Sequence, residues 1–273
     1  YIEQWKKIYK SYLIIGANNI MNSFYSTFNV IYLGIVCTKD QVGYYNISNQ
    51  IMSICLGVIT AFTMTTLPRM SNLLGTNNKK DYDTLLNNSF NAILNLCIPL
   101  SFGLFLYAPN IVNLLSGAGY EQSITPLRII APVVTVNAIA QILVYQILMP
   151  QHRDRPILYS TIIASLVGII TNIIFVKKLG VIGSAIVLFL STLSNLLYNL
   201  AYSSKNKLLT FPVAQLFRCL IVTLPFILIY LVVDKLIENE LLVLIIGVSV
   251  TGLYWLIINR KFVESIIHLR RAK

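Results

Sequence analysis

Eight apolar runs, each roughly 18–25 residues long, follow one another with only short polar stretches between them, and a bilayer core is crossed by about 20 helical residues. We place them at 12–36, 44–67, 88–107, 127–148, 157–176, 180–202, 216–234 and 241–258. Read by hydropathy, such runs are membrane-spanning helices. The expected fold is therefore all-α: a polytopic membrane protein with eight transmembrane helices. Charged residues make up only 11% of the chain and mean hydropathy is +0.71, which excludes a soluble enzyme or a disordered linker.

The net charge of +11 raises nucleic acid as a partner, but the basic residues lie between apolar runs and form no basic stripe. They instead report orientation. With the start of the chain in the cytoplasm, sixteen Lys and Arg fall inside and five outside (Lys39, Arg128, Lys177, Lys178 and Lys235). Fusing the fifth and sixth runs would erase that bias and bury Lys177 and Lys178, at about 2.5–3.5 kcal/mol each on insertion scales. Eight spans with both ends cytoplasmic is the consistent topology. Residues 1–11 carry Trp5 and Tyr9 beside Lys6, Lys7 and Lys10, the pattern of a segment lying in the interface. The chain opens at Tyr1 without an initiator methionine and reads as the later portion of a longer protein.

Polar residues recur at helical spacing inside the spans. Asn18, Asn22, Tyr25 and Asn29 share a face of the first, and Asn137, Gln141 and Tyr145 a face of the fourth. The third opens with Asn87, Asn91 and Asn95, and the sixth carries Ser191, Asn195, Tyr198 and Tyr202. Such groups either bond helix to helix or line a wet cavity. Whole stripes on four helices favour the cavity, and a lining of amides and phenols suits a hydroxyl-rich ligand such as a sugar. Arg69, Arg128 and Arg218 stand near span ends, where guanidinium forks can take phosphate oxygens or reach lipid headgroups.

All ten acids fall in loops, tails or span ends, so no carboxylate sits mid-membrane to couple transport to an ion. His152 and His268 have no catalytic partner at motif spacing, and the four cysteines have no metal spacing. No catalytic residue, metal or cofactor is expected. Pro99, Pro132 and Pro225 mark bends, while Gly180, Gly183 and Ser184 allow a close helix approach.

Three stretches carry a resemblance: YLGIV followed by VGYYNISNQI (42–51), TTLPRMSNLLG (65–75), and NIIFVKKLGVIGSAIVLFLST (172–192). In these the chain resembles the polysaccharide or oligosaccharide flippases of the multidrug/oligosaccharidyl-lipid/polysaccharide exporter superfamily. The resemblance implies a six-helix second lobe over 12–202 and two added helices with a basic tail over 203–273. It further implies movement of polyprenyl-pyrophosphate-linked oligosaccharide across a bacterial cytoplasmic membrane by alternating access, for O-antigen, capsule or exopolysaccharide. Expected partners are that lipid-linked oligosaccharide, membrane lipids and glycan assembly enzymes, with no nucleic acid. Asn18, Asn22, Tyr25, Asn29, Asn137, Gln141 and Tyr145 would line the sugar path. Arg69, Arg128 or Arg218 would meet the pyrophosphate, and the prenyl tail would stay in lipid along the last two spans. The rival inside the superfamily is a cation-coupled drug exporter. A glycan polymerase or acyltransferase is the rival outside it, and would have to use outer-loop acids such as Asp40, Glu121, Asp234, Glu238 and Glu240.

Overall fold

The computed structural model describes residues 16–18, 20, 21, 23, 27–117, 119–209, 211–237 and 239–260. These form helices and turns, with no strand among the described residues. The helices are α1 (Thr27–Val36), α2 (Lys39–Gly75), α3 (Lys79–Leu106), α4 (Ala108–Ser116), α5 (Glu121–Leu148), α6 (Asp154–Leu179), α7 (Val181–Lys205), α8 (Val213–Leu236) and α9 (Glu240–Ile258). Seven of them, all but α1 and α4, are long and apolar enough to cross a membrane, matching the second to eighth expected spans. The described helix Thr27–Val36 lies within the first expected span, most of whose remainder falls outside the described residues.

The boundaries differ from expectation in three places. First, α2 runs through Pro68 and Arg69 to Gly75, so what reads as the start of a loop is two more turns of helix. The turn follows at Thr76–Asn78, where Asn77 takes a left-handed conformation (φ 55°) and Asn78 Oδ1 caps α3 by accepting from the Asp81 amide. Second, the stretch after Tyr107 is not a plain loop but α4, which starts with Pro109 in its first turn and ends at Gly117 (φ 75°). Third, Lys177 and Lys178 extend α6 to Leu179 instead of standing in a turn. The separation of α6 from α7 holds, and Gly180 (φ 56°) makes it.

Buried α5 is the hub of the bundle: Leu127, Ile130, Ala131, Val134, Ala138 and Ile142 are fully enclosed between α2, α3 and α7. Because lipid is as apolar as leucine, close fit and polar contacts hold such helices together. At Gly183 a Cβ would lie 2.6 Å from the Phe175 carbonyl oxygen, so only glycine lets the start of α7 rest on the end of α6. Gln41 locks the same corner, with its Oε1 accepting from the Val181 amide at 3.2 Å. Helices α8 and α9 contribute to a second apolar cluster of Leu106, Tyr107, Phe226, Val233 and Val243, while the start of α8 packs on the main core through Cys219. Gly247 makes room there for the Tyr107 ring. Helix α8 is interrupted at Leu224–Pro225, while Pro99 and Pro132 lie within unbroken helices.

Candidate functional site

Helices α2 and α5 run parallel and are joined by a ladder of uncharged side chains. Gln141 Nε2 donates to Asn137 Oδ1 (2.8 Å) and to Thr60 Oγ1 (3.1 Å), and Thr63 Oγ1 lies 3.0 Å from Gln141 Oε1. Further along, Gln146 Nε2 donates to Thr66 Oγ1 (2.9 Å), and Tyr82 of α3 donates to the Gln146 carbonyl (2.9 Å). Thr60, Asn137 and Gln141 are half-buried, whereas Gln146 is fully enclosed and its Oε1 has no hydrogen-bond partner. Each threonine hydroxyl also lies within reach of its own helix: Thr60 with Leu56 O at 2.9 Å, Thr63 with Ile59 O at 3.1 Å, Thr66 with Phe62 O at 3.1 Å. Thr60 and Thr66 accept from the amides while donating to their own helix, whereas Thr63 has one proton for Gln141 Oε1 or its own backbone and can retreat to the latter when the ladder opens.

The fourth-span stripe is therefore present but shifted. Asn137 and Gln141 come together as their spacing predicts, while Tyr145 stays half-buried outside the ladder and Gln146 takes the next rung. The cause is a π turn over Leu143–Leu148, which inserts one extra residue and advances the register by one. The threonines of α2 and Gln146 are site residues that the sequence reading missed.

The first-span stripe divides between neighbours. Asn18 Oδ1 accepts from Thr161 of α6 at 2.6 Å. Asn29, buried, donates to the Tyr45 hydroxyl (2.9 Å) and to the Ser184 carbonyl (3.1 Å), so it ties α1 to α2 and α7. Asn22 and Tyr25 lie outside the described residues. On α7, Asn195 donates to Ser160 of α6 (3.3 Å) and accepts from Asn199 (3.0 Å), a second polar seam. Asn95 of α3 bonds its own helix through the Asn91 carbonyl and receives Cys219 of α8.

The arginines occupy two ends. Ser48 bonds the Ser123 carbonyl at one end of the α2–α5 pair, and Thr66 meets Gln146 toward the other. Arg128 belongs to the first end, while Arg69, beyond Thr66, and Arg218 lie toward the second. Along α2 the levels of Arg69 and Arg128 differ by about 24 Å at 1.5 Å per residue. One phosphate cannot touch both. Arg69 and Arg218 are exposed; Arg128 is half-buried with its guanidinium 5.9 Å from the Phe105 ring centroid. A cavity of about 310 Å³ opens between α3, α8 and α9, lined mainly by apolar groups such as Pro99, Leu100, Phe226 and Trp255. Among the described residues no cluster of His, Cys, Asp and Glu could hold a metal.

The MatE family model matches residues 15–174, more than half of the chain. Two relatives are similar in sequence. One, from Haloferax volcanii, is named as a low-salt glycan biosynthesis flippase and is 23% identical over 79% of this chain and 45% of its own length. The other, from Escherichia coli K12, is named as an O-antigen transporter and is 26% identical over 68% of this chain and 45% of its own length. The fold is similar to that of the lipid II flippase MurJ in an inward closed conformation, with a TM-score of 0.75 and 20% identity over 90% of this chain and 53% of that one. The chain thus spans about half the length of the proteins it matches.

Proposed function

The chain belongs to the MatE family, and on that premise we propose that it forms part of a transporter for polyprenyl-pyrophosphate-linked oligosaccharide repeat units, serving cell-surface polysaccharide assembly. The membership agrees with the resemblance to the multidrug/oligosaccharidyl-lipid/polysaccharide exporter superfamily drawn from the motifs, and both relatives carry the names of glycan transporters. Residues 12–202 are then the second six-helix lobe, and 203–273 the added pair, in a cytoplasmic membrane with both ends of this chain inside.

The observation that carries the reading is the α2–α5 ladder. Its half-buried rungs Thr60, Asn137 and Gln141 offer amide and hydroxyl groups, and no charged side chain occurs between Asp40 and Arg69 on α2 or between Arg128 and Leu148 on α5. Neutral donors and acceptors match sugar hydroxyls, and the Thr63 hydroxyl, which can fall back on its own helix, can change partners as a substrate passes. Alternating access asks for loose binding, because a carrier that grips one state cannot release in the other. The two arginine levels fit a pyrophosphate met at different stages, Arg69 or Arg218 on the cytoplasmic side and Arg128 on the far side. The prenyl tail stays in lipid along α8 and α9. A cation-coupled drug exporter is less well supported, since every acid lies in a loop, tail or span end.

The test is leaflet-resolved labelling of lipid-linked glycan in a strain deleted for the gene, with the full-length gene restored. Accumulation on the inner leaflet, cured by the gene, supports transport of the glycan lipid. Normal distribution in the deletion strain rejects it, and dye efflux then tests the exporter.

A further inference from the structure

We infer that Arg128 is a receiving site for the phosphate of a lipid in the leaflet at the α4 end of the bundle; placing that leaflet outside rests on the topology proposed above. Arg128 lies in the second turn of α5. Its Nε is shut off from solvent without a hydrogen-bond partner, and its guanidinium makes no hydrogen bond or ion pair with any described residue. Among the described residues its ring contact is the Phe105 face at 5.9 Å. A guanidinium carries five N–H donors in a planar fork, so a half-buried one with none of them bonded to a described residue suits an anion.

Two acids at that end are engaged elsewhere: Glu240 Oε2 accepts from Asn113 of α4 at 2.8 Å, and Glu121 Oε1 from the Gly119 amide at 3.3 Å. Asp234 and Arg128 both lie within electrostatic reach of Tyr230. Among the described residues none bonds the fork, which is open to a ligand. The surroundings say what kind of ligand. Phe105, whose ring the guanidinium faces, is 47% exposed. An anion meeting Arg128 beside that ring arrives with an apolar body attached. Phosphate on a lipid has both properties, and its paired oxygens suit the fork.

The experiment uses the full-length protein in detergent, with bound lipid counted by native mass spectrometry against added phosphatidylglycerol, isoprenyl pyrophosphate, phosphatidylcholine or inorganic phosphate. Wild type should retain a phosphate lipid, and R128Q should retain it at least tenfold more weakly. R128K, which keeps the charge but not the fork, should be several-fold weaker, and K80Q, which removes an exposed charge in the first turn of α3, should match wild type. Stronger retention of isoprenyl pyrophosphate than of phosphatidylglycerol makes Arg128 a station of the transport path; equal retention makes it a resident phospholipid site. Retention by R128Q equal to wild type overturns the inference, as does displacement by inorganic phosphate alone. If R128Q does not fold, R128K decides: unchanged retention rejects the fork. Because the readout is binding, a failure here leaves the leaflet-labelling result standing, and the converse also holds.

Discussion

Replacing Gln141 by leucine separates a pathway role from a packing role, because the two effects are close in energy but differ in what they change. Gln141 makes two contacts across to α2, with Thr60 at 3.1 Å and Thr63 at 3.0 Å, and one along its own helix with Asn137 at 2.8 Å. Interhelical polar contacts in a bilayer average about 0.6 kcal/mol. Both threonines keep a backbone acceptor on α2 when Gln141 is gone. The cost to stability is therefore roughly 1 kcal/mol, small against the 5–15 kcal/mol that typically holds a protein folded, so abundance should hardly change. Losing one neutral hydrogen bond to a passing sugar costs about 1 kcal/mol as well. In a rate, that is about fivefold. Q141L should thus show a slightly lower midpoint in an SDS-unfolding titration together with about fivefold slower flipping in proteoliposomes, read by enzymatic access to the glycan. A flipping rate within twofold of wild type, with the same stability loss, would reduce the ladder to glue.

Two further substitutions probe the scaffold. G183A puts a methyl group 2.6 Å from the Phe175 carbonyl oxygen, a backbone atom that cannot turn aside. It should destabilise by about 1–3 kcal/mol, seen as a lower melting temperature, whereas G57A, with open space around it, should melt like wild type. N29A removes the bonds from α1 to Tyr45 and Ser184 and should cost about 1–2 kcal/mol; protease sensitivity of the α1–α2 turn should rise, and an unchanged cleavage rate would show that these bonds do not hold α1.

The long helices were legible because membrane insertion imposes a length and a polarity that few residues violate. Helix α4 was not, since nine residues are too few to leave such a mark. Asn137 and Gln141 were legible as an i, i+4 pair on one face. Gln146 was not, because counting forward with a regular period points to Tyr145, and the π turn that corrects the count has no signature in LVYQIL. Thr60, Thr63 and Thr66 escaped for another reason: threonine in a membrane helix satisfies itself, so nothing in the sequence demands a partner. Asn29 was legible as polar and buried, but its partners lie 16 and 155 residues away and only the packed bundle names them. The family-like stretches have a physical reading in hindsight. VGYYNISNQI holds Tyr45 and Ser48, which bond across the bundle, and the third stretch holds Gly180 and Gly183 at its tightest corner.

The π turns over Leu143–Leu148 and Asn172–Val176 bear on how this lobe tolerates changes in chain length. A residue deleted from the middle of an ordinary helix swings everything beyond it through about 100° and sends buried groups to the lipid. Removing one from a π turn instead relaxes that turn to an α turn, and the segments on either side keep their faces. Indels within this lobe should accordingly concentrate at these two turns, next to the Gln146 rung on α5 and the Gly183 contact on α7, leaving the partners of Asn137 and Gln141 in place.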